Sequence, residues 1–123
     1  MKVFVVLLLA AGCGGGSGNS GGGSPTGPTA TSTITITSSG VSPRDITVTP
    51  GSRVTFVNND NRSHTMNSDP HPEHGQCPAI DQVGFIAAGQ SKQTGNLNDV
   101  RTCRFHEHDL FPNSNFEGSI VVR

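Results

Sequence analysis

The side chains of this sequence that could bind a metal ion are concentrated in two short segments. The C-terminal segment, Val100–Asp109, contains Cys103, His106 and His108. The upstream segment contains, in order, His64, Met66, His71, His74 and Cys77. Together they hold all 5 histidines of the chain and two of its 3 cysteines. Because a thiolate and imidazoles suit copper in both of its common oxidation states, we predict that the fold brings these segments together around a copper ion.

The elements that must position these side chains show the patterns of short strands. Thr31–Thr37 and Ser52–Val57 alternate apolar and polar residues with the period of two of half-buried strands. Ser63–Asp81 shows no period and contains three prolines, which predicts a long loop. A strand over Val100–Phe105 and a last strand over Gly118–Arg123 follow. Short strands, Gly/Pro turns and no helical period predict an all-β, antiparallel Greek-key β-sandwich. The predicted aromatic core is Phe56, Phe85, Phe105 and Phe116.

Length and composition exclude several classes of function. The chain has 123 residues and a formal net charge of −1, from 8 basic and 9 acidic side chains. No stretch is rich in Lys and Arg, so nucleic acid is not expected as a partner. Trp and Tyr are absent, which argues against an oxidase with a radical relay on those side chains. No Walker, Rossmann or hydrolase signature is present, and we expect a monomer that is not an enzyme.

The N-terminus has the pattern of an export signal. The apolar run Val3–Ala11 is too short to span a bilayer as a helix and fits the hydrophobic part of a secretory signal. It ends in Leu9–Cys13, which resembles a bacterial lipobox, so Cys13 would be lipidated and become the first residue of the mature protein. Ordinary signal cleavage beside an incidental cysteine is the alternative. We therefore expect an exported protein, lipid-anchored to a bacterial membrane and facing the periplasm or the exterior.

The segment after Cys13 is a predicted tether. Residues 14–31 are mostly Gly, Ser, Thr and Pro, a composition that buries nothing and behaves as a flexible coil. The chain is accordingly divided into a signal peptide (1–12), a lipidated cysteine with its linker (13–31) and one folded domain (32–123).

Within the domain, the chain resembles the cupredoxins, the blue-copper β-sandwich family. The resemblance covers residues 33–123 and is carried by Val48–Asn58, Asp60 with His64, Ala88–Ser91, Cys103-x-x-His106 and Gly118–Val122. In the family the cysteine closes the penultimate strand, and the second histidine follows it by three residues. The resemblance implies that His64, Cys103 and His106 bind copper, and that the backbone N–H of Thr65 bonds the thiolate. It also implies one-electron transfer with an unidentified redox or copper-exchange partner.

The fourth ligand is the first departure from the cupredoxin pattern. The methionines are Met1 and Met66, and the Met-x-Gly position of the family holds Phe116-Glu117-Gly118. The candidates for the fourth position are His108, Glu107, Asp109 and Met66. We favour His108, because in an extended run it lies on the same side as His106, about 7 Å away. Glu107 could instead orient an imidazole as an outer partner.

The segment His71–Cys77 is the second departure. His71 and His74 could add ligands, form a second metal site or face water. Cys77 could pair with Cys103 in an oxidising compartment, which would take the thiolate away from copper. The remaining ligands would then be all histidine: His64, His106 and His108, with His71 or His74. In that alternative the protein is a non-blue copper-binding module for storage or delivery.

Two further interpretations rank below these. Phe105–His108 resembles the Phe-His-x-His element of copper–zinc superoxide dismutases, but there the bridging and zinc ligands follow that element, and here only Asp109 and a short stretch remain. The second of these interpretations is an immunoglobulin-like domain with one disulfide and no metal. It would have the same thermal stability with and without Cu(II).

Overall fold

The structure is a computed structural model, and it describes residues 27–123. The predicted signal peptide, the lipobox with Cys13 and residues 14–26 of the linker lie outside the described residues, so those assignments stay predictions. Within residues 27–123, no helix is long and apolar enough to cross a membrane.

The described part of the chain forms two sheets. The large sheet contains, in spatial order, β1 (Thr29–Ala30), β4 (Asp45–Val48), β10 (Glu117–Val122), β9 (Arg101–Glu107), β6 (His64–Ser68) and β7 (Gly84–Ile86). The small sheet contains β3 (Gly40–Ser42), β2 (Thr33–Thr37), β5 (Thr55–Asn58) and β8 (Ser91–Gln93). A helix, α1 (Pro78–Asp81), and a 3₁₀ helix (Ser114–Phe116) complete the elements. The predicted β-sandwich is confirmed, although β10 pairs with β4, and β2 with β5, in parallel.

The core lies between the two sheets and is built from the alternating apolar residues of their strands. Ile34 and Ile36 of β2 are fully buried, and so is Phe56 of β5. The rings of Phe56 and Phe105 meet edge to face, with their centroids 5.3 Å apart. An aromatic pair of this kind contributes about 0.5–1.5 kcal/mol beyond its buried area. It therefore joins the two sheets at the centre of the sandwich.

Three of the four phenylalanines predicted for the core are buried, and the assignment of Phe85 is wrong. Phe85 is 55% exposed, because it lies in the short edge strand β7 opposite Thr65, on the outer face of the large sheet. The apolar residues beside it in the chain that do reach the core are Val83 and Ile86.

Strands β6 and β9 present different side chains on the two faces of the large sheet. Successive side chains of a strand point to opposite faces. In β9, Phe105 and Glu107 point inward, while His106 points outward. The register pairs Met66 with Glu107 and Asn67 with His106. His64, two residues before Met66, therefore shares the inner face with Glu107 and lies on the opposite face from His106.

The segment predicted as one long loop is partly regular. Strand β6 begins at His64, and α1 covers Pro78–Asp81, so the irregular part is residues 69–77. We name these residues the histidine loop. Periodicity did not reveal β6 because two of its inward positions, His64 and Ser68, are polar although buried.

The histidine loop is fixed to the sheet by a polar network around Ser68 and Asp81. The Ser68 hydroxyl donates to Asp81 Oδ2 at 2.7 Å, and the Ser68 backbone N–H donates to Asp81 Oδ1 at 2.8 Å. The Ser68 oxygen in turn accepts from the N–H groups of Gly75 and Cys77, both at 3.2 Å. A disulfide between Cys77 and Cys103 then ties the end of the loop to β9.

Removing this disulfide should destabilise the domain. The cysteines are separated by 26 residues, and the chain-entropy value for a closed loop of that length is about 3–4 kcal/mol. We expect the double variant Cys77→Ala/Cys103→Ala to lose about that much free energy of unfolding. Because the chain lacks Trp and Tyr, unfolding in guanidinium chloride is followed by far-ultraviolet circular dichroism. Equal midpoints for the double variant and the oxidised wild type would contradict the expectation.

Candidate metal centre

Four histidines meet on the outer face of the large sheet, and we name them the histidine cluster: His71, His74, His106 and His108. One ring nitrogen of each lies within 4.8 Å of the others. The shortest separations are 3.0 Å between His74 Nε2 and His108 Nδ1, and 3.4 Å between His71 Nδ1 and His106 Nε2. Metal–nitrogen bonds of about 2.0–2.1 Å put opposite ligands about 4 Å apart. The spacing of these nitrogens therefore suits a single ion.

Two of the four rings are held by hydrogen bonds at the nitrogen that points away from the cluster. His106 Nδ1 donates to Asp69 Oδ1 at 2.7 Å, and His74 Nδ1 donates to the carbonyl oxygen of Ser68 at 3.0 Å. Arg104 Nε lies 3.4 Å from the other oxygen of Asp69 and steadies that carboxylate. Because both acceptors can only accept, the proton of each ring is on Nδ1, and the lone pair of Nε2 faces the cluster. Metal-binding histidines in proteins have this arrangement almost without exception.

Burial and the neighbouring imidazoles favour the neutral form of His71. His106 is fully buried beneath the histidine loop, and the other three rings are half-buried. Burial lowers the pKa of His71, and the neighbouring His108, His106 and His74 lower it further. Since only a neutral imidazole offers a lone pair to a metal, His71 is ready to bind at neutral pH. The ring of Phe111 stacks on His71, with centroids 4.3 Å apart, and forms part of the outer wall.

The predicted thiolate set of His64, Cys103 and His106 is not brought together. Cys103 is bonded to Cys77, so its sulfur is not a free thiolate, and the assignment of Cys103 as a copper ligand is corrected to the disulfide alternative. The reason is the length of β9, which remains extended to Glu107 instead of ending at Phe105. Three residues apart on one extended strand, Cys103 and His106 point to opposite faces.

His64 belongs to a separate group on the inner face, not to the histidine cluster. His64 Nε2 donates to Asp60 Oδ2 at 2.8 Å, and this hydrogen bond lowers the pKa of Asp60. His64 Nδ1 lies 3.7 Å from Glu107 Oε2. Glu107 Oε1 accepts from the N–H groups of Thr65 at 3.0 Å and Asp109 at 3.1 Å. The backbone N–H that the resemblance assigns to a thiolate therefore bonds a carboxylate oxygen in this protein.

The other candidates for the fourth ligand lie at different places. His108 joins the histidine cluster, and Glu107 points to the other face of the sheet. Met66 is fully buried in the core, and Phe116 is buried at the position where the family has methionine. The all-histidine alternative predicted His64, His106 and His108 with His71 or His74; the cluster instead contains both His71 and His74, and His64 is not part of it. The roles of Asp69 and Ser68 carried no signal in the sequence, because Asp69 bonds His106 across the fold and Ser68 bonds His74 through its backbone carbonyl, which any residue has.

Comparison with known proteins reveals structural similarity but no sequence match. No protein-family model and no curated protein sequence matches this chain. A novel purple cupredoxin from Nitrosopumilus maritimus has a similar structure, with a TM-score of 0.56 and 15% identity over 76% of this chain and 100% of that one. Plastocyanin from Dryopteris crassirhizoma gives a TM-score of 0.57 and 16% identity over 74% and 99%. An amicyanin variant in its reduced Cu(I) form gives 0.55 and 14% over 83% and 87%. The two packed sheets and these likenesses together show that this chain has the cupredoxin fold.

Proposed function

We propose that this protein binds one copper ion through the histidine cluster and functions as a copper-binding module that stores or delivers the ion. The observation that carries the proposal is the convergence of four ring nitrogens within 4.8 Å, with two rings already turned toward the centre by Asp69 and Ser68. Imidazole suits copper, and Cu(II) stands above the other first-row divalent ions in affinity for nitrogen sites. The residues present therefore fit the metal that the fold implies, although with imidazoles in place of a thiolate.

The exposure of the cluster supports uptake and release of the ion. His106 is buried against the sheet, whereas His71, His74 and His108 are half-buried and face outward. Ligands at a solvent edge can be exchanged one at a time with those of a partner, while the buried His106 holds the register of the site. The partner, on this proposal, is a copper-exchange protein that approaches the outer face of the large sheet.

One-electron transfer is the second candidate, since bound copper can alternate between Cu(I) and Cu(II). A plastocyanin with this fold is described in oxidised and reduced forms. In the present protein, the stack of Phe111 on His71 extends the cluster to the surface, because Phe111 is 42% exposed. The two candidates share one site and differ in whether the ion or only an electron leaves it.

We also propose that the domain acts outside the cytoplasmic membrane, held by a lipid on Cys13. The Cys77–Cys103 disulfide supports this location, because structural disulfides form and persist in oxidising compartments. Labelling with a palmitate analogue tests the anchor, since Cys13→Ser should abolish incorporation while Cys77→Ser/Cys103→Ser should not.

Removal of cluster ligands should abolish tight copper binding. We expect one tightly bound Cu(II) per wild-type chain, with nitrogen hyperfine structure in its electron paramagnetic resonance spectrum and no intense thiolate-to-copper absorption. His71→Ala/His74→Ala should weaken binding by more than about 100-fold, the upper cost of losing only an orienting partner. Glu73→Gln, in the same loop and exposed, is the matched control. At a hundred times the dissociation constant, copper should also add about 2.7 kcal/mol of stability.

Two results would contradict this assignment. Tight binding retained in His71→Ala/His74→Ala would place the ion elsewhere. An intense visible band in the copper-loaded wild type would require a thiolate ligand, and therefore a broken disulfide.

Loss of the carboxylate behind His106 should weaken the site without removing a ligand. We expect Asp69→Ala to lower copper affinity by about 10–100-fold, because the ring of His106 is then free to turn and to change its tautomer. Competition against a chelator of known affinity measures this effect. Asp99→Asn, which changes an exposed carboxylate in the loop between β8 and β9, should leave the copper affinity unchanged. Equal affinities for Asp69→Ala and the wild type would show that Asp69 has no role at the site.

A further inference from the structure

A second pair of potential ligands lies on the inner face of the large sheet, and the copper proposal does not use it. His64 and Glu107 are only 3% and 2% exposed. Both line a cavity of about 530 Å³, whose walls also include Asp60, Asp109 and Phe116. Burying titratable groups is costly unless they are paired or bind an ion. The pair therefore requires a physical explanation.

The hydrogen bonds of His64 leave one ring nitrogen without a partner. Its Nε2–H donates to Asp60 Oδ2 at 2.8 Å, so the lone pair of the neutral ring is on Nδ1. This Nδ1 atom is buried and has no hydrogen-bond partner among the described residues. The nearest acidic atom is Glu107 Oε2 at 3.7 Å, beyond the distance of a hydrogen bond. No hydrogen bond therefore joins these two atoms, and each can donate an electron pair to a cation.

The other oxygen of Glu107 is already fixed. Glu107 Oε1 accepts two backbone N–H groups, from Thr65 and Asp109. The carboxylate is therefore held in one orientation, with Oε2 turned toward His64. The Asp60–His64 hydrogen bond fixes the imidazole in the same way, since a histidine that binds a metal donates its other N–H to a carboxylate or carbonyl. Both donor atoms are thus oriented before any ion binds.

The geometry points to a second metal site: we propose that His64 Nδ1 and Glu107 Oε2 bind a divalent cation of the zinc class at the inner end of the cavity. Ligands of a tetrahedral ion with bonds of about 2.0–2.1 Å lie about 3.3 Å apart, close to the separation found here. Asp109 also lines the cavity. Water from the open side completes the coordination.

The replacement of a thiolate by a carboxylate sets the choice of metal. Glu107 is the last residue of the penultimate strand and accepts the N–H of Thr65. The cupredoxin resemblance predicts a cysteine at the end of this strand and as the acceptor of this N–H. A carboxylate is a harder donor than a thiolate and disfavours Cu(I). The inner site therefore disfavours Cu(I) and takes a divalent ion, while the outer histidine cluster on the other face of β9 offers four imidazoles to copper.

Zinc titration of variants of the full chain tests the second site. His71→Ala/His74→Ala leaves only His106 and His108 of the outer cluster, so the zinc that still binds belongs to the inner site only if Glu107→Gln removes it. In that background we expect one equivalent by calorimetry and elemental analysis, and its loss on adding Glu107→Gln. The glutamine keeps the carbonyl oxygen that accepts from Thr65 and Asp109, and its amide can donate to His64 Nδ1, so the fold should persist. Asp99→Asn in the same background should keep the equivalent.

Two outcomes would overturn the second site. They are the absence of zinc binding in the background variant, and zinc binding that survives Glu107→Gln. In the first case, nitrogen-15 spectra would show His64 protonated on both nitrogens, as an imidazolium paired with Asp60 and Glu107. If the background variant does not fold, the same zinc titration is made on the wild type and on the Glu107→Gln single variant, each loaded beforehand with one equivalent of Cu(II) to occupy the histidine cluster. Copper binding by that single variant separately tests the histidine cluster, so the two proposals can fail independently.

Discussion

The alternation of side chains along β9 is the constraint on which both sites depend. A pleated strand sends successive residues to opposite faces, so His106 joins the outer cluster and the next residue, Glu107, faces the inner cavity. A slip of one residue would exchange the two. The neighbouring strand protects the register at Gly118, which lies opposite Phe105. A Cβ at Gly118 would collide with the backbone carbonyl of Arg44 and come within 2.7 Å of the Phe105 ring.

The histidine cluster is divided between the segment of strand β9 and the histidine loop, and the loop is held in place by additional contacts. His106 needs little support beyond Asp69 because β9 is paired on both sides, with β10 and with β6. His74 depends on the Ser68–Asp81 network and on the disulfide for its position. Each cysteine is three residues from a histidine of the cluster on its own segment, Cys77 after His74 and Cys103 before His106. The covalent link therefore acts close to both halves of the site.

Much of the fold could be predicted from the sequence, because strand periodicity and Gly/Pro turns are local signals. The ligand set could not be fully predicted, because it depends on where β9 ends. Ending that strand at Phe105 makes Cys103 and His106 natural partners, whereas two more extended residues turn them to opposite faces. The resemblance added to this error by taking Cys103 for the residue that closes the strand, a position that Glu107 occupies. The sequence identifies His71, His74, His106 and His108 individually as possible ligands. Their assembly into one cluster depends on the path of the histidine loop, which the sequence does not reveal.

The disulfide also has a consequence for the order in which the protein matures. Before Cys77 and Cys103 are joined, the segment carrying His71 and His74 is held against the sheet by the hydrogen bonds of Ser68 and Asp81 and by no covalent cross-link. A newly made chain that meets copper in a reducing environment thus offers mainly the two imidazoles that follow from β9, His106 and His108. On the proposed function, full affinity for copper would arise only after oxidation, and copper loading would then depend on formation of the Cys77–Cys103 disulfide.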